Sequence, residues 1–314
     1  MTDKHILISG LNPAWQKTLF FHSFRPGEIN RAESVLRIAS GKGINCARAA
    51  RTWAIAEPCV LQFLGGETGK RIREELDREG IRHLTVDTGA ETRTCTTLVS
   101  LDGVTEMTEL IEPAPAVSAV SAGELMRHLQ SSLPSFDALA ICGTFPAGLP
   151  DSFYAEMAAE ARKRGKFILL DSFLHVEKVL IEGVDLLKIN KEELFSISGE
   201  QTMQKAVQSL MERFRPSFLA VTDGPGSACF SDGKELWRIE VPPVEKVLNP
   251  IGSGDTCSAV TLSEILAGTD PCEAFRIGLA AASANCLTEL PACFSKDTAL
   301  AMTEKSRISQ PLQA

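Results

Sequence analysis

The stretch NPIGSGDTCSAV at residues 249–260 places a carboxylate, Asp255, where a glycine-rich turn runs into an apolar helical pattern. Gly252 and Gly254 let successive backbone N–H groups converge without Cβ obstruction, which makes a concavity that binds anions. The N-terminal partial charge of the following helix points at the same place. The pattern is equally consistent with a phosphate site beside an acid–base group and with an aspartate that simply caps the helix.

A second glycine-rich turn, SGKGINCAR at residues 40–48, also runs into a helix but carries a cation, Lys42. The chain has a net charge of −8, so no general positive field attracts anions and local cations must do so. Arg31 and Arg93 lie in segments that could reach the same ligand. Each of the three, taken alone, is more often a solvated surface charge, so the interpretation depends on their joint placement.

With these turns and the stretches between them, the sequence resembles the PfkB family of ribokinase-like carbohydrate kinases. Within that family it is most similar to the group that includes 1-phosphofructokinase and tagatose-6-phosphate kinase. The similar stretches follow the family's order over nearly the whole chain. They are LNPAWQKTL (11–19), RPGEINRAE (25–33), SGKGIN (40–45), LGGETGKRIREELDREGI (64–81), ETRTC (91–95), TELIEPAPAVS (108–118), GTFPAGLP (143–150), LLKINKEEL (186–194), VTDGPGSACF (221–230) and NPIGSGD (249–255).

This resemblance implies an enzyme that transfers the γ-phosphoryl group of Mg-ATP to a sugar hydroxyl. Asp255 then corresponds to the catalytic base, and Gly252, Ser253 and Gly254 correspond to the anion hole. Phosphoryl transfer through a loose transition state needs mainly positioning and charge neutralisation. Backbone donors and one base are therefore sufficient for the chemistry that the resemblance implies.

The resemblance also implies a nucleotide site with a magnesium ion. Asn190 and Glu193 match an Asn-x-x-Glu motif that helps to place Mg²⁺ through water, as suits a hard cation that keeps several waters. From the residues alone, the simpler interpretation of the pair is a helix N-cap with its capping-box partner. The simpler interpretation of TDGPG is a turn. The residues expected to bind ATP are Lys188, Asn190, Glu193, Thr222, Gly224, Gly226 and Asn285.

The expected substrate is a ketohexose that already bears a phosphate, with fructose 1-phosphate or tagatose 6-phosphate favoured ahead of fructose 6-phosphate. Where the family commonly has Asp, this chain has Gln16, whose uncharged amide holds sugar hydroxyls less strongly. One alternative is a kinase of an unphosphorylated sugar or nucleoside, which Gln16 slightly favours. Another is a non-catalytic sugar-phosphate sensor, against which the retained Asp255 argues. The residues expected to bind the substrate are Gln16, Arg31, Gly41, Lys42, Asn45 and Arg93.

Composition and motif spacing argue against several other classes of protein. The negative net charge and the lack of a long apolar run disfavour nucleic acid and membrane partners. GETGK at 66–70 fails as a P-loop on its spacing, and no hydrolase nucleophile motif occurs. Nine cysteines without CxxC spacing indicate reduced thiols, and therefore a cytoplasmic protein.

Short apolar runs alternate with amphipathic helical patterns along most of the chain. This alternation predicts an α/β fold with a doubly wound, mostly parallel sheet, helices on both faces and ligands beyond the carboxyl ends of the strands. The predicted strands are HILISG (5–10), CVLQFLG (59–65), ALAICG (138–143), FILLDS (167–172), LLKIN (186–190) and FLAVTDG (218–224). The predicted helices are SAGELMRHLQSSL (121–133), DSFYAEMAAEARKRG (151–165, with Gly165 as C-cap) and TMQKAVQSLMERF (202–214).

Two polar, alternating segments, 13–38 and 92–112, do not fit this pattern and are expected to form an antiparallel lid, the second turning at Asp102-Gly103. The α/β domain then comprises residues 1–12, 39–91 and 113–314. Closure of such a lid over the sugar excludes water from the reaction. The resemblance further suggests a homodimer that forms through the lids, and the tail after about residue 303 is expected to be loose.

Overall fold

The structure, a computed structural model, describes residues 4–102, 107–173 and 175–309. The strands are β1 (Lys4–Ser9), β2 (Ala14–Phe21), β3 (Ser34–Ser40), β4 (Ala56–Leu64), β5 (Arg82–Asp87), β6 (Thr94–Ser100), β7 (Thr108–Ile111), β8 (Ala138–Cys142), β9 (Phe167–Asp171), β10 (Leu186–Asn190), β11 (Phe218–Asp223), β12 (Ser227–Ser231) and β13 (Leu236–Glu240). The helices are α1 (Lys42–Trp53), α2 (Gly66–Glu79), α3 (Ala119–Ser132), α4 (Phe153–Lys163), α5 (Val176–Glu182), α6 (Lys191–Ser198), α7 (Met203–Phe214), α8 (Ser253–Ala267), α9 (Pro271–Asn285) and α10 (Lys296–Thr303).

The large sheet has nine strands in the order β13-β12-β11-β10-β9-β8-β1-β4-β5. The seven strands from β11 to β5 run parallel, and β12 and β13 add an antiparallel edge. From β1 the chain builds β4 and β5 on one side and then returns to build β8 to β11 on the other. The order therefore reverses between β1 and β8, where open α/β sheets bind their ligands. The predicted doubly wound fold is confirmed.

Alternate residues of the parallel strands enter two hydrophobic cores on opposite faces of the sheet. In β1, Ile6 and Ile8 belong to one core and Leu7 to the other. The first core includes residues of α1, α8, α9 and α10, and the second includes residues of α3, α4 and α7. Burial of each such aliphatic side chain stabilises the fold by about 1.5–3 kcal/mol, so the two layers hold the strand ends rigidly. Within the described ranges, no helix combines the length and apolarity that a bilayer crossing requires.

The lid is a separate four-stranded sheet in the order β3-β2-β6-β7. Its β2–β3 and β6–β7 pairs are antiparallel as predicted, but β2 and β6 pair in parallel, so the expected all-antiparallel ribbon is wrong in that respect. The difference arises because β2 and β6 both leave the large domain in the same direction. The predicted turn at Asp102-Gly103 lies partly outside the described residues, because the structure does not describe residues 103–106.

Three details of the large domain differ from the sequence-based expectation. Strands β5, β12 and β13 were not predicted. The cap of α4 is Arg164, and Gly165, at φ 63°, follows it in the left-handed conformation. The tail is docked as far as residue 309, because Arg307 O accepts from Glu240 N at 2.9 Å and Ser309 N donates to Arg238 O at 2.9 Å. These bonds satisfy the outer edge of β13.

Two glycines let α1 approach the end of β1. A Cβ on Gly43 would lie 2.4 Å from the Cα of Gly10, so neither position admits a side chain without movement of the backbone. This close approach brings the first turn of α1, with Lys42, to the carboxyl end of the central strand. The glycine-rich turn at 40–45 therefore serves packing as well as any ligand.

Candidate active site

A cleft of about 270 Å³ opens at the carboxyl ends of β1 and β8, where the strand order reverses. The turn before α1 forms one wall, and the segment after β8 forms the other. Among the predicted substrate residues, Gly41, Lys42 and Arg93 line the cleft. Its lining residues are Gly10, Asn12, Pro13, Gly41, Lys42, Gly43, Ile44, Arg93, Cys142, Gly143, Thr144, Phe173 and Glu193.

The floor of this region is built around Asp171, the last residue of β9, which is 2% exposed. Its carboxylate binds Lys42 Nζ at 2.9 Å and Lys188 Nζ at 3.1 Å and accepts from Ser258 Oγ at 2.5 Å. Sequence reasoning missed this residue. The available signal was that FILLDS ends in an acid at the carboxyl end of a predicted parallel strand.

The cluster keeps its charges although it is buried. Burial alone would raise the pKa of Asp171, but Lys188, Lys42 and the Ser258 hydrogen bond outweigh burial and hold this pKa far below its usual range. The carboxylate of Asp171 in turn raises the pKa of Lys42 well above its usual range. For Lys188, burial lowers the pKa and Asp171 raises it, with a net increase. The Asp171 cluster therefore has two ammonium groups around one carboxylate, and the Asp255 carboxyl group lies near both lysines.

Asp255 lies in the first turn of α8 and is 8% exposed. Its Oδ2 accepts from Asn45 Nδ2 at 2.9 Å. Burial and the nearby Asp171 raise the pKa of Asp255, whereas Lys42, Asn45 and Lys188 lower it, and the net shift is upward. The carboxylate is therefore more basic than that of an exposed aspartate, which suits a general base.

The glycine loop before α8 is held in a conformation that requires glycine. Gly252 has φ 80°, and a Cβ there would lie 2.9 Å from Ala292 N. Among the backbone hydrogen bonds of the described residues, Ser253 N donates to Pro250 O at 3.2 Å, whereas the N–H groups of Gly254 and Asp255 have no acceptor. A Cβ on Gly254 would lie 3.1 Å from Lys188 Nζ. Free amide donors and an ammonium group thus converge at the start of α8.

A second cavity of about 530 Å³ lies on the other side of this loop. Its wall is mostly apolar, with Val244 and Leu279 among the contributors, and four predicted ATP or anion-hole residues reach it: Thr222, Gly224, Ser253 and Gly254. The full lining is Thr222, Gly224, Pro225, Val241, Pro242, Pro243, Val244, Val247, Pro250, Ser253, Gly254, Cys257, Leu279, Ala282, Ser283 and Cys286. Lys188, beside Gly254, connects this cavity to the Asp171 cluster.

Five of the seven predicted ATP residues are not among the described residues that line this cavity: Lys188, Asn190, Glu193, Gly226 and Asn285. Gly226 lies in the turn between β11 and β12. Asn285 is fully buried, and its Nδ2 donates to Ile251 O at 2.9 Å and Ser253 Oγ at 3.0 Å. The structure therefore places Asn285 behind the glycine loop as a support.

Asn190 and Glu193 form the capping box that their spacing allows. Glu193 N donates to Asn190 Oδ1 at 2.8 Å, and Asn190 N donates to Glu193 Oε2 at 2.9 Å. Glu193 also lines the cleft, so its side chain is open to a ligand from that side. In the described part of the chain, no three His, Cys, Asp or Glu side chains cluster as metal ligands. One accessible carboxylate fits a hydrated Mg²⁺ bound mainly by phosphate oxygens.

The remaining predicted substrate residues are distributed unevenly. Arg93 Nη2 donates to Asn12 O at 3.0 Å at the cleft wall. Gln16 is buried in β2 and donates to Thr97 Oγ1 at 2.7 Å. Arg31 is exposed in the loop between β2 and β3. The described residues that line the cleft do not include Gln16, Arg31 or Asn45.

At the start of α2, where the spacing of GETGK argued against a P-loop, a side chain of the same protein caps the helix. The carboxylate of Glu91 accepts from Glu67 N at 3.1 Å and from Thr68 N at 2.6 Å. An internal carboxylate therefore satisfies the helix N-terminus that a P-loop would offer to a phosphate.

We expect that Asp171→Asn lowers the free energy of unfolding at neutral pH by about 3–5 kcal/mol, because it leaves the buried Lys188 without a counter-charge and removes the partner of the half-exposed Lys42. Folding lowers the pKa of Asp171, so its contribution is complete above the pKa of an unfolded aspartate, about 3.9, and is lost as pH falls toward the folded pKa. Urea unfolding of both proteins at a series of pH values measures this difference.

Asp151→Asn is the control, because Asp151 is exposed and its Oδ2 meets Lys178 Nζ at 3.4 Å at the surface. Its effect on the free energy of unfolding should stay below about 1 kcal/mol. A difference for Asp171→Asn that stayed constant down to acid pH, or matched the control, would contradict the assignment of a buried ionised carboxylate.

Comparison with known proteins agrees with this fold and identifies the family. Residues 11–296 match the pfkB family carbohydrate kinase domain. A possible 1-phosphofructokinase from Thermotoga maritima superposes with a TM-score of 0.88 at 20% identity, covering 98% of this chain and 100% of that one. Phosphofructokinase-2 from Escherichia coli in complex with potassium gives a TM-score of 0.86 at 22% identity, with 96% and 99% covered. A tetrameric inhibited form of that Escherichia coli protein gives 0.85 at the same identity and coverage. The chain belongs to the pfkB family of carbohydrate kinases.

Proposed function

We propose that this carbohydrate kinase transfers the γ-phosphoryl group of Mg-ATP to a hydroxyl of a ketohexose phosphate, with Asp255 as the base. Fructose 1-phosphate or tagatose 6-phosphate is favoured ahead of fructose 6-phosphate. The observation that carries the proposal is the α8 N-terminus: Gly254, whose N–H group is free, lines the apolar cavity, and Asp255 next to it is hydrogen-bonded to Asn45 on α1, the helix whose Lys42 lines the other cleft.

The larger cavity suits a nucleotide. Its apolar wall, which includes Val244 and Leu279, offers a surface for a flat base, and Thr222 and Gly224 lie at the end of β11 where phosphates would pass. The γ-phosphoryl group then reaches the N–H groups of Gly254 and Asp255 and the ammonium of Lys188. These donors face the charge that develops in the transition state.

The cation-lined cleft suits a sugar that already carries a phosphate. Lys42 and Arg93 both line it, and the side chain of Lys42 is 40% exposed although it is paired with Asp171. A chain with a net charge of −8 attracts such a ligand only through local cations of this kind. An unphosphorylated sugar would leave both cations without a ligand partner.

In the proposed reaction, the acceptor hydroxyl gives its proton to the carboxylate of Asp255 while its oxygen bonds to the γ-phosphorus. The bond between that phosphorus and the bridging oxygen of ATP breaks, and ADP leaves with the bond's electron pair. Glu193, with Asn190 behind it in the capping box, would hold Mg²⁺ through water. When bound, the ion would supply positive charge to the β- and γ-phosphate oxygens.

Asp255→Asn should lower kcat by about 10² or more, since a general base commonly contributes that factor, and should leave nucleotide affinity nearly unchanged. A coupled ATP-consumption assay and ADP calorimetry measure the two effects. The control is Asp270→Asn at the start of α9, where Asp270 Oδ1 accepts from Cys272 N at 3.0 Å and asparagine can still cap the helix. Turnover of Asp255→Asn within a few-fold of wild type would exclude the base role.

The substrate class is tested by assaying fructose 1-phosphate, fructose 6-phosphate, tagatose 6-phosphate, fructose and ribose with the wild-type enzyme and Lys42→Met. We expect turnover with a phosphorylated ketohexose. In Lys42→Met the KM for that sugar should rise about 10-fold or more through the lost charged hydrogen bond. Any sugar turned over without a phosphate should show no matching rise in KM.

Lys70→Met is the control, because Lys70 is exposed on α2 and 3.9 Å from Glu74 Oε1 at the surface. Turnover confined to fructose or ribose would refute the role of Lys42 and favour a kinase of unphosphorylated sugars. Binding of sugar phosphate without any turnover would favour a sensor.

We also propose that two lids pair to form a homodimer. Strand register brings Leu19, Val35, Leu98 and Leu110 to one face of the lid, where Val35 is 40% and Leu110 is 53% exposed. The same face also carries Lys17 and Arg37, and aliphatic side chains flanked by polar groups in this way are typical of an interaction surface.

Sedimentation analysis should find a dimer of the wild-type chain and a monomer of Leu110→Glu. Ile181→Glu, on α5 of the large domain, is the control because Ile181 is 74% exposed away from the lid, and it should remain dimeric. A monomeric wild-type chain at assay concentration, or a dimeric Leu110→Glu, would reject the lid interface.

A further inference from the structure

The side chain of Asn45 is buried between the turn before α1 and the start of α8, and it is 3% exposed. Its Nδ2 donates to Asp255 Oδ2 at 2.9 Å. Its Oδ1 receives Ser40 Oγ at 3.2 Å and Arg48 Nη1 at 3.4 Å. The amide therefore bonds to the chain at both ends.

Arg48 is fixed more firmly than the amide that it contacts. It is 5% exposed, and its Nε and Nη2 bind the two carboxylate oxygens of Glu79 on α2 at 2.8 and 2.9 Å. Nη2 also donates to Ala39 O at 2.9 Å, and Nη1 lies 3.5 Å from Pro291 O. A planar guanidinium held in this bidentate manner has one orientation.

These contacts select one of the two possible orientations of the Asn45 amide. A guanidinium can only donate hydrogen bonds, and an ionised carboxylate can only accept them. The carbonyl oxygen of Asn45 must therefore face Arg48, and the NH₂ group must face Asp255. The reversed amide would set donor against donor at Arg48 and acceptor against acceptor at Asp255.

We infer that Asn45 is a positioning residue for Asp255 and that Arg48, with Ser40, fixes the orientation of Asn45. This inference rests on the proposed function of Asp255. It differs from the expectation that Asn45 binds a sugar hydroxyl. The Asn45 side chain holds one oxygen of the base, which leaves the other oxygen to accept the substrate proton.

The charged and polar groups facing Asp255 come from three elements. Lys42 and Asn45 belong to α1, Lys188 to β10 and Asp171 to β9. The two lysines and Asn45 favour the carboxylate, whereas Asp171 and burial disfavour it. Loss of the Asn45 donor therefore shifts this balance toward the protonated, inactive form of Asp255.

The inference is tested by steady-state kinetics of Asn45→Ala over a range of pH. We expect kcat to fall about 10-fold or more and the acid limb of kcat/KM to move up by about one pH unit, with the KM for the sugar phosphate unchanged within about two-fold. A rise in that KM without a shift of the acid limb would make Asn45 a sugar ligand and overturn the inference.

Arg48→Met and Ser40→Ala should shift the acid limb in the same direction by smaller amounts, and Arg48→Lys, which retains a donor, should restore part of the shift. Arg276→Met is the control for loss of a partly buried arginine, because Arg276 binds Glu273 and Ser306 O far from Asp255. It should lower the melting temperature and leave the acid limb in place. If the acid limb of kcat/KM moved equally in Arg276→Met, the shift would be a result of lower stability alone, and the inference would be overturned.

Failure of the proposed function is distinguished by a measurement that needs no turnover. The pKa of Asp255 can be followed by carboxyl ¹³C NMR, with Asp255→Asn to assign the resonance. Even if wild-type protein phosphorylates none of the sugars, the pKa of Asp255 in Asn45→Ala should rise by about one unit. An unchanged pKa would overturn the inference whatever the catalytic result.

Discussion

The buried carboxylate of Asp171 is the interaction on which the site depends. An isolated charge at this depth would be strongly unfavourable, and so would the buried Lys188 without a partner. Together, Asp171, Lys42 and Lys188 remain ionised and connect three separate parts of the chain: the end of β9, the middle of β10 and the start of α1. Ser258 adds α8 to the same group. A single carboxylate thereby fixes the relative positions of the residues that we assign to the nucleotide and to the sugar.

The sequence predicted the fold well because the parallel strands are short apolar runs whose alternation with helices has few other interpretations. It failed at β5, β12 and β13. RHLTVD in β5 is polar at several positions because that strand lies at the edge of the sheet, and β12 and β13 form an antiparallel addition outside the βαβ pattern. The parallel pairing of β2 and β6 was not predictable, since strands so distant in sequence carry no signal of their mutual direction.

For the candidate site, sequence motifs located the loops but not the contacts within them. Lys42 and Asp255 were identified because each lies in a glycine-rich turn that runs into a helix, and Gly41 and Gly252 in these turns have positive φ. Asp171 was missed because an acid at the end of an apolar strand has no local motif, and its partners come from distant elements. The same limitation applies to Asn45 and Arg48, whose roles depend on which hydrogen-bonding atoms meet across α1, α2 and α8.

The docked tail has a consequence for how the sheet ends. On one side β13 pairs with β12, and on the other the backbone of Arg307 and Ser309 meets Glu240 and Arg238. With the backbone of Arg238 and Glu240 already paired to the tail, this edge strand offers little template to which another chain could add. The last described residues of the chain therefore cover the outer edge of β13, the strand that leads directly into the wall of the larger cavity.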